Sequence, residues 1–235
     1  MFGRYEGDIS YTGDDISIRL DRSLGLPRYE RTCCDERVVK SLSHFTGTII
    51  INPVEPVNLP VPLARHLEIG FPTIALPPGT SQTLFLLFPL EIGVFLVAGG
   101  DVHVLDIFSL SKSKFSLYGT SDAGVITRWH HSEVYTTKPD PDRHKAGVMN
   151  LSIRNRSAET VEVSRAVFDS DSIHLFSGDR VEMSGQMEIF SPRIARTDIR
   201  TAPPLPGMER CIEIYTAKKI PVVQGKGFLM ESGAA

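Results

Sequence analysis

The densest chemistry in the sequence lies in Arg128-Trp-His-His-Ser-Glu-Val-Tyr135. Side chains alternate faces along a strand, so Trp129, His131, Glu133 and Tyr135 share one side while His130 points to the other. Imidazole and carboxylate suit zinc or iron, which makes His131 and Glu133 two possible donors of a metal site. No third or fourth donor follows at a diagnostic spacing, and the two adjacent histidines diverge. The segment therefore reads as an amphipathic strand face or as a small-ligand contact formed by Trp129, His131, Glu133 and Tyr135. No catalytic residue and no metal site is assigned, and no cofactor is implied.

Other chemical residues are more isolated. Asp101-Val-His103 and His130-His131 do not reproduce the His-x-His pattern with a downstream Glu and His that a cupin-like site needs. Cys33-Cys34 lacks the two-residue spacer of thioredoxin-like motifs, and Cys211 alternates with Ile212 and Ile214 as a small hydrophobe. There is no Gly-x-x-x-x-Gly-Lys-Ser/Thr loop and no Gly-x-Ser-x-Gly elbow. Arg193, Arg196 and Arg200 precede the Pro-rich run Thr201-Ala-Pro-Pro-Leu-Pro206. Guanidinium forks hold carboxylate or phosphate, so these three could form an anion or partner rim; a solvated, salt-bridged surface is the plainer reading.

The elements that must position these residues show the two-residue period of strands. Ile16, Ile18 and Leu20 alternate with Ser17 and Arg19, and Leu67, Ile69 and Phe71 with Glu68 and Gly70. Further strands are expected at 47–51, 73–76, 83–88, 115–118, 125–135, 148–155, 161–168, 186–190 and 211–216. Gly99-Gly100 suits a two-residue turn that pairs Ala98 with Asp101, Leu96 with His103, Val94 with Leu105 and Ile92 with Ile107. Both faces of that hairpin are apolar, so it belongs in the middle of the structure. A second hairpin is expected to pair 147–155 with 159–164. Residues 35–45 fit a helix with Asp35 as N-cap, or a strand.

Gly and Pro number 19 and 16 in 235 residues, which favours many turns over long helices. The expected fold class is all-β, an antiparallel β-sandwich of two packed β modules with little helix. Lys-Pro-Asp-Pro-Asp-Arg-His-Lys-Ala146 reads as the linker. It divides the chain into a sandwich over 1–140, a smaller β domain over 147–223 and a flexible tail over 224–235. Residues 1–142 hold 12 Lys+Arg against 17 Asp+Glu, and residues 143–235 hold 13 against 11. The net charge of −3 argues against a polybasic nucleic-acid binder. The most apolar run, 84–98, falls short of the roughly 20 residues of a spanning helix, so no membrane insertion is expected. An odd cysteine count and an opening without a signal-peptide pattern point to the cytoplasm.

Met1-Phe-Gly-Arg-Tyr5, Leu67-Glu-Ile-Gly-Phe71 through Leu76-Pro-Pro-Gly79, and Phe88-Pro-Leu-Glu-Ile-Gly-Val94 resemble an uncharacterised archaeal family, domain of unknown function 432. The resemblance covers most of the chain. Its motifs are structural turns and strands, so it implies an archaeal cytosolic context and transfers no binding or catalytic residue. The leading functional expectation is a non-enzymatic binding or protein-interaction module, with a protein partner or a homodimer favoured by open sheet edges. The rival is a small-ligand or metal-dependent enzyme or sensor with a pocket near Trp129, His131, Glu133 and Tyr135.

Overall fold

A computed structural model describes residues 1–214 except 24, 34, 44–46 and 61–62. Its strands are, in order, β1 (Gly3–Tyr5), β2 (Ile9–Thr12), β3 (Ile16–Asp21), β4 (Arg28–Cys33), β5 (Glu36–Ser41) and β6 (Thr48–Val54). Then come β7 (His66–Leu76), β8 (Ser81–Pro89), β9 (Glu91–Ala98), β10 (Asp101–Phe108), β11 (Phe115–Tyr118) and β12 (Val125–His131). The last six are β13 (Ala146–Asn155), β14 (Val161–Asp169), β15 (Phe176–Ser177), β16 (Val181–Ser191), β17 (Ile194–Ile199) and β18 (Glu209–Arg210). The fold is all-β, with one 3₁₀ turn at Ser170–Ser172.

Four sheets form two sandwiches. Sheet A runs β1-β6-β9-β10 and sheet B β2-β3-β4-β5; sheet C runs β11-β12-β7-β14 and sheet D β18-β15-β16-β13-β8, with β17 also on β16. Sheets A and B enclose a core that includes Ile18, Leu20, Ile49, Ile51, Ile92 and Val94. Sheets C and D enclose another that includes Leu67, Ile69, Leu86, Leu151, Phe168 and Met183. The alternation that marks β3 puts Ile16, Ile18 and Leu20 inside, as expected. Two pairings are parallel, β12 with β7 and β13 with β16, so sheets C and D are mixed rather than purely antiparallel.

The expected division at 140–147 does not separate two packing units. β8 pairs with β13 from Pro89↔Ala146 to Ser81↔Arg154, and β7 pairs with β14, so residues on both sides of the linker share one core. The chain instead weaves: β7 and β8 belong to the second sandwich, β9 and β10 return to the first. The expected tail, 224–235, lies outside the described residues, as does Cys34. Cys211–Ile214 is not a strand; the pairing falls one step earlier, at β18.

Three local expectations also change. Residues 36–41 form β5, and Asp35 sits in the turn at φ 66 rather than capping a helix. The anticipated 147–164 hairpin is absent because both edges of β13 are taken by β8 and β16. β13 and β14 face each other across the core instead. Asn155 staples that corner: its amide donates to the Leu76 and Glu159 carbonyls and accepts from Ser157. The Gly99-Gly100 hairpin keeps its expected register from Asp101↔Ala98 to Val104↔Phe95, then bulges. Leu105 lies on the core face as expected, but the bulge brings Asp106 to that face too, opposite Val94, with Phe108 opposite Ile92, so Ile107 moves to the other face. His103, before the bulge, is exposed.

That bulge has an electrostatic use. Asp106, buried, accepts from the Tyr29 hydroxyl at 2.9 Å and from Arg31 Nε at 2.7 Å, joining sheet A to sheet B. Burial works against the Arg31 charge, but the Asp106 hydrogen bond and charge outweigh it and raise the guanidinium pKa. Arg31 also reaches Glu36 at 2.9 Å and lies over the Phe108 ring. Replacing Asp106 with Ala leaves a buried cation held by the exposed Glu36 carboxylate, and is expected to cost about 3–5 kcal/mol. Urea unfolding checks this; a loss below about 1 kcal/mol would show that the cluster does not hold the two sheets together.

Candidate functional site

Strand β12 enters sheet C between β11 and β7, with Phe115↔Arg128 on one side and Glu68↔Trp129 on the other. Alternation then sorts its side chains. Thr127, Trp129 and His131 face outward, and Arg128 and His130 face inward. On the outer face the Trp129 and His131 rings stack, 6.2 Å apart and 25° from parallel. Lys114 Nζ lies 5.7 Å from the indole centroid. A hollow of about 330 Å³ opens beside them, bordered by Glu68, Gly70, Ser116 and Arg165.

Glu68 forms the floor of the hollow and is 4% exposed. Its carboxylate accepts from Ser116 Oγ at 2.5 Å and Thr127 Oγ1 at 2.7 Å, with Arg165 Nη1 at 3.5 Å. These partners satisfy and neutralise a carboxylate that would otherwise be costly to bury. Above it, a Cβ built on Gly70 would lie 3.5 Å from Trp129 Nε1 and 3.9 Å from His131 Nδ1. Gly70 thus leaves a methyl-sized niche flanked by two ring nitrogens, of which the indole can only donate. An indole N–H here, next to Lys114 and Arg165, is suited to an anionic oxygen.

The structure brings together two of the four residues expected here. β12 ends at His131, where Ser132 N donates to the Gly70 carbonyl and Ser132 Oγ accepts from Leu87 N. The chain then leaves sheet C for the edge of sheet D, where Tyr135 bridges Phe85 of β8. Glu133 and Tyr135 accordingly leave the face that carries Trp129 and His131. His130, on the inner side, is pushed down to about 4 by burial, then by the charges of Arg128, His131 and Lys114.

The three arginines do not form one rim. Arg193, in the β16–β17 turn, borders a groove of about 380 Å³ that it shares with Arg165. Arg196 is paired with Asp198 on its own strand at 3.0 Å, and the Arg200 amide donates to the Ser184 carbonyl. Among the described residues no group of three or more His, Cys, Asp or Glu is placed to hold a metal ion. Glu68, Gly70, Lys114, Ser116, Thr127 and Arg165 escaped the sequence reading. Gly70 carried a signal, since a glycine inside an alternating strand marks a close approach. The parallel β7–β12 pairing that brings the others together spans some 60 residues and leaves no local trace.

A second polar cluster is buried near the joint of the sandwiches. Glu91 is 0% exposed and accepts from the amides of Asn58 at 3.0 Å and Leu59 at 3.2 Å. Burial nevertheless pushes it up to about 7, against those bonds and the nearby Arg128 charge. Glu55 borders a cavity of about 320 Å³ and is likewise pushed up to about 7 by burial, reinforced by Glu91 and Glu213. Glu213 in turn holds Arg210 and His174.

The folded carboxyls therefore keep their protons between about pH 4.5 and 7, where the unfolded chain has released them. Stability falls as pH rises through that window, and the full cost persists above it. Glu55→Gln is expected to reduce the slope and to gain roughly 2–3 kcal/mol near pH 8. Thermal melts near pH 5 and pH 8 check this; an unchanged difference between them in Glu55→Gln rejects the assignment.

No helix among the described residues is long and apolar enough to cross a membrane. No curated protein and no solved structure matches the chain. The family model described as "Protein of unknown function (DUF432)" matches residues 1–231, and the chain belongs to that family.

Proposed function

We propose that this chain is a cytoplasmic, non-enzymatic binding protein, and that the Trp129–His131 ledge of sheet C takes a small ligand with a flat ring and an acidic oxygen group. The observation that carries this reading is the niche over Gly70, with Trp129 Nε1 and His131 Nδ1 at its sides. The stacked rings offer a flat surface, and Lys114 and Arg165 supply positive charge. The Ser116 and Thr127 hydroxyls are engaged in holding Glu68, which favours binding over nucleophilic chemistry at this place.

Trp129 is the only tryptophan, so its indole N–H gives a single cross-peak in heteronuclear NMR. Benzoate, nicotinate and adenosine monophosphate serve as flat anionic probes. At least one is expected to shift that peak saturably. Gly70→Ala, whose added methyl meets only ordinary contacts and needs no unusual backbone angle, is expected to weaken the shift at least tenfold while leaving the fold intact. An indole peak that none of the probes moves, or one moved equally in Gly70→Ala, sinks the reading.

A homodimer is supported by a separate observation. β11 is the open edge of sheet C, and the hairpin it forms with β12 exposes apolar side chains on both faces: Leu117 (52%) opposite Ile126 (43%), and Tyr118 opposite Val125. We infer that two copies join β11 to β11 about a two-fold axis, continuing the sheet. Light scattering at micromolar concentration is expected to give twice the 26.0 kDa chain mass. Leu117→Lys should return it to one chain; a wild-type mass of one chain across the dilution range rejects the dimer.

A further inference from the structure

Sheet A has an apolar second face. Beyond the core it shares with sheet B, its register sets Ile50, Phe95 and Val104 in one cross-strand row, and Val97 and Val102 in the next. An antiparallel sheet with one face on a core is expected to be polar on the other. Part of this apolar surface is covered by Ile212 and Ile214, which pack on Val54 and Phe95. Asn52 fixes that covering segment, accepting from Ile212 N at 3.0 Å. The uncovered part, with Ile50, Val97 and Val102, forms the floor of a cleft of about 640 Å³ between the two sandwiches.

The rim of that cleft is cationic. Arg4 stands in the same row as Ile50, since β1 pairs Arg4 with Ile50. Arg143 comes from the loop before β13, and its Nε is buried without an acceptor. Arg210 comes from β18 and is already shared with Glu213 and His174. Among the described residues of the cleft wall Glu209 is the one carboxylate, against three arginines, so that lining carries an excess of positive charge. The volume lies within the range of small-molecule sites, which favour the junctions between packed units.

We propose that this cleft binds an amphipathic anion, with its alkyl chain on Ile50, Val97 and Val102 and its carboxylate or phosphate head at Arg4 and Arg143. The alkyl chain replaces water on the half-buried aliphatic floor, and the head pairs with the Arg4 and Arg143 guanidinium charges at the rim. The two head groups share this chemistry, and the test separates them. The site is independent of the sheet C ledge, being built from different sheets and different residues.

The full-length protein is titrated calorimetrically with decanoate and decyl phosphate, each below its micellar concentration. One-to-one binding of at least one is expected, with whichever binds more tightly naming the head group. Decanol, which lacks the charge, should bind at least tenfold more weakly, and inorganic phosphate should give no heat. Arg4→Gln changes an exposed side chain and is expected to weaken binding at least fivefold with an unaltered circular dichroism spectrum. Val102→Trp, which fills the floor without touching charge, should abolish it. The proposal is overturned if neither amphiphile binds, if decanol binds as tightly, or if affinity is the same in Arg4→Gln and Val102→Trp. It is also overturned if the amphiphile shifts the Trp129 indole peak with no dependence on Arg4, since that places it on the ledge.

Discussion

The two sandwiches meet at buried ionisable groups. Glu91 is the first residue of β9, one residue after β8 ends, and so sits where the chain passes from sheet D into sheet A. Its carboxylate takes two backbone amides of the 58–59 segment, and it feels the charge of Arg128, which comes from sheet C. Arg128 is 1% exposed, and its guanidinium nitrogens have no hydrogen-bond acceptor; its company is Glu91 and the Phe115 ring, 5.6 Å away. Burial disfavours the charged form of both groups, and the field of each opposes that loss in the other. The two side chains come from different packing units, one at the start of β9 and one in β12.

This joint explains why the fold was legible in parts and not in whole. Strand periods survived because each strand buries one face in its own core, as Ile16, Ile18 and Leu20 do in β3. The Gly99-Gly100 register was correct up to Val104 because the turn geometry sets it locally. Beyond that point the bulge answers to Tyr29 and Arg31, some 75 residues away, and nothing near Leu105 announces it. The 140–146 loop looked like a boundary because its composition is that of a linker. It is instead a crossing between strands that belong to one core, a fact carried by the β8–β13 ladder.

The ledge shows the same division. Alternation was enough to place Trp129 and His131 together and His130 apart from them. It was not enough to say where the strand would stop. The bond from Ser132 N to the Gly70 carbonyl marks the last contact with β7, and the pull of β8 on Leu87 and Phe85 takes the chain elsewhere. Half of the expected face was therefore lost to a tertiary pairing that overrides local period. What replaced it came from β7, β11 and β14, where Glu68, Gly70, Ser116 and Arg165 stand in register with residues far along the chain.

Stability and recognition use different polar groups in this protein. Glu68, Asp106 and Asn155 have their acceptors filled by hydroxyls, a guanidinium or amides, so they fix structure and have little left for a ligand. The Trp129 indole N–H and the Arg4 and Arg143 guanidiniums are donors beside the two hollows. In the two proposed sites these donors would meet acidic oxygens, one on a flat aromatic surface and the other on an aliphatic floor. The two proposed sites thus share a charge preference and differ in the shape of the apolar part that would fit them.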